Sequence, residues 1–366
     1  MRSLANPMET GLPKVRSRTA DTQAVRAWLF VVAGFVFAMI LVGGATRLTG
    51  SGLSITEWQP ILGVIPPLSD AAWQEAFNKY QQIPQYKLVN SGMSLDAFKS
   101  IYWWEWTHRL LGRLIGFVFL IPFVFFLIRG SIPKGWAGKL SALFILGAAQ
   151  GALGWFMVKS GLADRVSVSQ YRLAAHLALA VAIAGYAFWL ALSAGESSAA
   201  AKSFKPSRPG LKMAAASLAA LIYLQIVAGA FVAGLKGGLA SPTWPLMNGK
   251  FVPDGLDYFS PWYLNLFDNP LTAQFVHRML AYGIALFALA VAAWIWANRD
   301  RRDLRLPVAA MLAAIIVQIA LGVVTVIYGV PLDAALAHQA NAILSLALAL
   351  WVLHRAVTER YTSARA

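Results

Sequence analysis

Residues 105–109 read EWTHR and residues 274–278 read QFVHR, and each pentapeptide stands at the head of a long apolar run. The first lies within YWWEWTHRLLGRLIG (102–116), which gathers a Glu, a His and two Arg among three Trp where the chain is about to turn apolar. A His-Arg pair met twice at the mouth of a hydrophobic segment points to a site built in duplicate. The rest of the chain supports that reading. Over 366 residues it is 58% hydrophobic and 13% charged, with mean hydropathy +0.58, a composition that excludes an ordinary soluble globular protein. Eight runs are long enough for a helix to cross about 30 Å of hydrocarbon, near 26–46, 108–129, 138–158, 173–194, 211–234, 275–297, 306–328 and 334–354. The first run exceeds a signal-peptide core and leads into GGATRLTGSG with no clear cleavage site, so it reads as a retained helix.

Folded in half, the eight runs match. GGATRLTGSGLSITEWQP (43–60) after the first aligns with GAFVAGLKGGLASPTWPL (229–246) after the fifth, pairing Gly43 with Gly229, Leu53 with Leu239 and Trp58 with Trp244 at one constant offset. YRLAAHLALA around His176 opens the fourth run and DAALAHQANA around His338 opens the eighth. The third and seventh match more loosely, ILGAAQGALGWFMVKSG (145–161) against VQIALGVVTVIYG (317–329). The expected architecture is therefore an all-α integral membrane protein of eight transmembrane helices in two repeated four-helix bundles, related by a pseudo-two-fold along the membrane normal. The expected organisation is an N-terminal tail (1–25), a first bundle (26–194), a Gly/Ser/Lys/Pro-rich linker (195–210), a second bundle (211–354) and a tail (355–366). Small residues such as AGAFVAG (228–234) read as helix-packing positions. Within the long loop at 47–107, SDAAWQEAFNKY (69–80) and SLDAFKSIYWWEW (94–106) read as Ser-capped amphipathic helices lying along the outer interface.

Charge sets the expected orientation. With the N-terminus in the cytoplasm, the cytoplasmic segments hold 19 of the 31 Lys and Arg but 6 of the 16 acids, which fits the positive-inside rule with both termini cytoplasmic. The net charge of +15 is thus a topology signal and a contact for anionic lipid, and no nucleic-acid partner is expected. The absence of Cys excludes disulfides, thiolate ligands and covalent haem attachment, leaving His, carboxylate or backbone to hold any metal or cofactor.

Four of the five histidines, His108, His176, His277 and His338, fall near the outer ends of the even-numbered runs, at similar depth. Ionisable residues inside a bilayer mark function, and two repeat-related His pairs point to axial ligation of a flat macrocycle in each bundle, two b-type haem sites in all. A zinc or di-iron centre wants further carboxylates, yet Glu105-x-x-His108 has only Gln274-x-x-His277 as counterpart. Arg109 and Arg278, and Arg47 and Lys236 from the preceding runs, are candidates for haem propionate contacts; the other reading is that such residues snorkel to headgroups. His354, without a counterpart in the first half, reads as an interfacial residue.

These motifs together, GGATRLTGSGL-x-x-TEW, E-x-x-HR, the second HR and the His of the fourth and eighth runs, resemble the heme A synthase family from about residue 25 to 355. The cysteine-free first loop is similar to its proteobacterial and mitochondrial branch. The resemblance implies conversion of heme O to heme A by two successive hydroxylations of a ring methyl and loss of water, leaving a formyl group. It also implies that His277 and His338 ligate a heme b cofactor, that His108 and His176 receive the heme O substrate, and that Glu105 is catalytic beside it. The repeat argues in the same direction, because chemistry in one of two similar sites needs a difference, and a carboxylate at 105 against an amide at 274 is one. A hydrogen-bonding or Arg109-paired structural role for Glu105 is the competing reading. The expected setting is the cell inner membrane with haem sites near the extracytoplasmic face, handover of heme O from the farnesyltransferase that makes it, and an electron donor or acceptor that the sequence does not identify. A homo-oligomer is compatible with the sequence. Two other functions fit parts of the pattern: a quinol-linked di-haem electron-transfer protein, and a transporter, which the parallel repeats and one-sided histidines disfavour.

Overall fold

The computed structural model describes residues 13–59, 62–163, 165–194 and 209–358. Most of the expected N-terminal tail (1–12), nearly all of the linker (195–208) and most of the C-terminal tail (359–366) lie outside them. The helices, in chain order, are α1 (Pro13–Leu48), α2 (Asp70–Tyr80), α3 (Pro84–Leu88), α4 (Leu95–Ile128), α5 (Ala137–Ala163), α6 (Gln170–Ala194), α7 (Pro209–Gly234), α8 (Asn265–Asp268), α9 (Pro270–Ala297), α10 (Arg305–Ile327) and α11 (Leu332–Val357). Eight of them, all but α2, α3 and α8, are long and apolar enough to cross a membrane. The chain is a multi-pass, all-helical membrane protein.

Helices α1, α4, α5 and α6 form a ring in which each touches the next, and α7, α9, α10 and α11 form a ring with the same cyclic order. The inner helices α1, α6, α7 and α11 join the two rings, with α6 against both α7 and α11 and α1 against α11. Their meeting faces are made of small and aliphatic residues: Ala180, Ala184, Ala187 and Ala191 on α6, and Ala215, Leu218, Ile222 and Ile226 on α7, are buried at three- and four-residue intervals. Lipid is as apolar as these side chains, so close van der Waals approach rather than water exclusion holds the helices together. Polar ties reinforce the seam. The Gln339 amide donates to the Ile40 carbonyl at 2.7 Å, linking α11 to α1, and Gln170 and Tyr171 at the start of α6 both donate to the Asp268 carboxylate, at 2.6 and 2.7 Å.

The segment 94–106 departs from expectation. It is no separate interfacial helix but the first turns of α4, which runs unbroken for 34 residues from a Ser94 cap that accepts from the Ala97 N–H. At about 1.5 Å per residue this helix spans roughly 50 Å, well beyond the hydrocarbon. No Gly or Pro interrupts residues 95–111, and the aromatic face of this extension is covered by α2 instead of by lipid. Trp73 meets Tyr102 edge-on at 5.0 Å, and Phe77 and Tyr80 lie 5.1 and 5.3 Å from Phe98. α2 is where the sequence suggests, with Ser69 accepting from the Ala72 N–H. This aromatic cap stands over the first ring and is tied to the end of α1 by the Gln85 amide, which donates to the Gly50 carbonyl at 3.0 Å.

Inside α4, Pro122 has no N–H to give the carbonyl of Val118 one turn earlier. The indole N–H of Trp28 on α1 takes its place at 2.9 Å, satisfying a carbonyl that hydrocarbon could not. Replacing Trp28 with Phe keeps the ring contacts with Phe119 and Phe126 and removes only the donor. Thermal unfolding in detergent should show a loss of about 1–3 kcal/mol. Adding Pro122→Ala, which restores the backbone donor, should recover part of it; an unchanged Trp28→Phe midpoint would refute the assignment.

Candidate functional site

The two rings place their histidines alike. His108 on α4 and His176 on α6 occupy diagonal helices of the first ring, and His277 on α9 and His338 on α11 occupy diagonal helices of the second. His176, His277 and His338 come six or seven residues after their helices begin, roughly 10 Å of rise. They therefore share a level near the end of the bundle that carries the long loops.

The helices between them supply glycines. A Cβ built on Gly43 of α1 would lie 3.0 Å from His108 Nε2, on Gly154 of α5 3.0 Å from His176 Cε1, on Gly229 of α7 3.1 Å from His277 Cε1, and on Gly322 of α10 2.9 Å from His338 Cε1. Each imidazole thus rests against bare backbone of a neighbouring helix. Gly43 and Gly229 are repeat partners by sequence; Gly154 and Gly322 lie in the loosely matching third and seventh runs, where composition suggested packing alone. The signal that could have singled them out is a spacing: Gln150, Gln225 and Gln318 each precede their glycine by four residues, one helical turn.

Those glutamines reach the histidines. Gln150 donates to the His176 carbonyl at 3.0 Å with its amide nitrogen 3.1 Å from Nδ1. Gln225 donates to the His277 carbonyl at 2.9 Å and lies 3.3 Å from Nε2. Gln318 stands 3.2 Å from His338 Nδ1, and its own oxygen accepts from Asn341 at 2.8 Å.

In the second ring the His277 and His338 ring centroids are 6.4 Å apart with planes inclined by 71°. Two imidazole–metal bonds of about 2 Å on opposite sides of one iron require a separation of this order. Among the described residues no three His, Asp or Glu gather as a bare ion would need. His277 Nδ1 and Arg278 Nη1 are buried without partners, the first suiting a ring that needs an outer acceptor and the second a carboxylate of a bound group. The residues present fit a bis-histidine macrocycle. In the first ring the His108 ring has no hydrogen-bond partner among the described residues.

Glu105, one turn before His108, is 2% exposed and fully engaged. Its Oε2 accepts from the Ser54 hydroxyl and the Ile55 N–H, both at 2.8 Å, and its Oε1 accepts from Arg109 at 2.7 and 3.1 Å. Arg109 also donates to the carbonyls of Ile55 and Glu57, each at 2.7 Å. Carboxylate and guanidinium together clamp the strand of loop at 54–57 across the head of α4. The second ring keeps the frame and lacks the charge: Gln274 and Arg278 both donate to the Ser241 carbonyl at 3.0 Å, and Gln274 Oε1 is buried without a partner. Ser241 stands at the repeat position of Ile55.

The remaining expected contacts diverge. Arg47, in the last turn of α1, is half-buried and makes no hydrogen bond or ion pair among the described residues, whereas Lys236 is exposed at the end of α7. His354 is not interfacial in its exposure: it is 5% exposed, with Trp189 edge-on at 5.0 Å and the Ser193 hydroxyl at 3.3 Å, because the α6 and α11 faces close around it.

A family model described as cytochrome oxidase assembly protein, COX15-CtaA, matches residues 26–350. The heme A synthase of Parvibaculum lavamentivorans is 49% identical over 350 residues, covering 94% of this chain and 98% of the relative. That of Nitrosospira multiformis is 48% identical over 93% of this chain and 96% of the relative, and one from Rhodopseudomonas palustris is 51% identical over 89% and 87%. At this identity and coverage, the chain belongs to the heme A synthase family.

Proposed function

We propose that the chain converts heme O to heme A, acting as a membrane oxidoreductase on a ring methyl group. Two successive hydroxylations take the methyl to an alcohol and then to a gem-diol, each a two-electron oxidation at the expense of an external oxidant, and loss of water leaves the formyl group. The observation that carries this reading is the duplicated pair of glycine-seated histidines, with a buried carboxylate beside only one pair. A second similar site without that carboxylate suits a resident cofactor rather than a substrate.

On this reading His277 and His338 hold a heme b, with Arg278 directed to a propionate, and the cofactor supplies electron transfer when bound. His108 and His176 receive heme O. Arg47, which makes no hydrogen bond or ion pair among the described residues, is available to a substrate carboxylate, since Arg109 is committed to the loop. Lys236, exposed at the matching end of the second ring, has less claim to that role. Four donors converge on the Glu105 side chain and hold it in place, where it stabilises positive charge developing at the oxidised carbon. The same bonds hold residues 54–57 over the site and restrict water. The chain lies in the cell inner membrane with both termini cytoplasmic and the haem level toward the outer face. Heme O arrives by handover from the farnesyltransferase that makes it.

Mass analysis of haems extracted from cells that make heme O, with and without this chain, tests the activity. Heme A should appear only with it, and equal amounts in both would overturn the reading. Glu105→Gln should retain haem while product formation falls by about a hundredfold or more, or stops at the alcohol, as expected for a lost charge at a reacting centre. Wild-type turnover in that variant would remove Glu105 from the chemistry. Gly322→Ala pushes a methyl into His338, so the purified variant should lose b-type absorbance, while Gly151→Ala, which meets nothing within 4 Å, should keep it. Retained absorbance in Gly322→Ala would show that the seat is not needed.

A further inference from the structure

The fourth histidine breaks the glutamine pattern. Gln150, Gln225 and Gln318 stand one turn before Gly154, Gly229 and Gly322, but the residue one turn before Gly43 is Met39, the repeat partner of Gln225. Its methyl reaches α4 one turn beyond His108, where a Cβ on Gly112 would lie 3.3 Å from it. A thioether offers neither an N–H donor nor a strong acceptor, so His108 has nothing comparable to the grip on the other three rings.

A ring that gives one nitrogen to a metal carries its proton on the other, and that proton needs an acceptor to fix the ring's tautomer and orientation. In the second ring Gln225 Oε1 and His277 Nδ1 are buried, each without a partner, while the Gln225 amide nitrogen lies 3.3 Å from the other ring nitrogen and donates to the His277 carbonyl. Gln150 Oε1 is likewise buried and unpartnered beside His176. Gln318 is itself anchored by Asn341, which also donates to the Ala314 carbonyl at 2.8 Å. The pair at His277 and His338 is therefore backed by glutamine on both sides, and the pair at His108 and His176 on one side only.

We propose that Gln150, Gln225 and Gln318 are positioning residues that orient and polarise the imidazoles of His176, His277 and His338. His108, backed by Met39, is the least firmly held ligand and the one that yields as a substrate macrocycle enters and leaves. This assignment rests on the reading of the four histidines as axial ligands and adds a second asymmetry to that of Glu105 and Gln274. A resident cofactor needs two fixed ligands; a substrate that must depart as product needs one that lets go.

The test uses the full chain purified in detergent with its haems. Gln225→Met and Gln318→Met should shift the reduction potential of the second-ring haem to more positive values, because the imidazole becomes a weaker donor. They should also speed haem loss to a scavenging globin about tenfold or more, the usual cost of an outer partner. Gln225→Glu keeps the acceptor and should hold haem as firmly as the native chain, which separates positioning from mere packing. Met39→Gln should slow release of heme O from the first ring by a similar factor and leave the second-ring potential unchanged. Native potential and native loss rate in both Gln→Met variants, or native release in Met39→Gln, would overturn the proposal. If the double variant His277→Ala with His338→Ala keeps its b-type spectrum, the ligand reading beneath it fails instead, whatever the glutamines do.

Discussion

An imidazole can press this closely against the side of a neighbouring helix only where the facing residue carries no Cβ, and the four histidines make that contact four times. Each histidine leans on a glycine of the neighbouring helix, so helix separation, ring position and the level of the pair are set together. In lipid this constraint carries unusual weight. Helices there gain little from apolar burial, and small residues decide how closely they approach. The small-residue faces of α6 and α7 fix the middle of the molecule by the same means, while the glycines seat the histidines on either side.

The two rings share a frame and differ in the charge placed on it. Arg109 and Arg278, each directly after a histidine, donate to the same loop carbonyl position in the two copies, Ile55 in one and Ser241 in the other. Onto this shared arrangement the first copy adds a carboxylate with four donors, and the second leaves an amide oxygen unsatisfied. The first copy also acquires the aromatic cap of α2 and the extended head of α4. Below that cap, α4 and α5 are the spanning helices least covered by protein.

Much of this was legible in the residues. Apolar length marked the eight crossings, because nothing but a helix of that length satisfies its backbone in hydrocarbon. The histidines and the Glu105/Gln274 difference emerged from aligning the chain with itself. What sequence did not disclose depends on contacts between helices. The aromatic run at 94–106 has the same amphipathic pattern whether it lies on a bilayer or packs under α2, and only the Trp73, Phe77 and Tyr80 rings decide between them. His354 looked peripheral because it sits near a helix end, yet a neighbouring Trp189 covers it. The Q-x-x-x-G spacing was visible but carried no meaning until the glycines were found beneath the imidazoles.

The proline in α4 has an effect far from itself. The carbonyl it frees is taken by Trp28, so α1 and α4 are joined by a directional bond at one level and by the contact of Gly43 with His108 at another. Two fixed points on a pair of rods remove both sliding and rotation between them. An interruption that would ordinarily loosen a helix here sets the vertical alignment of its partner, and the height of His108 is gauged from a hydrogen bond about 15 Å further along the same helix.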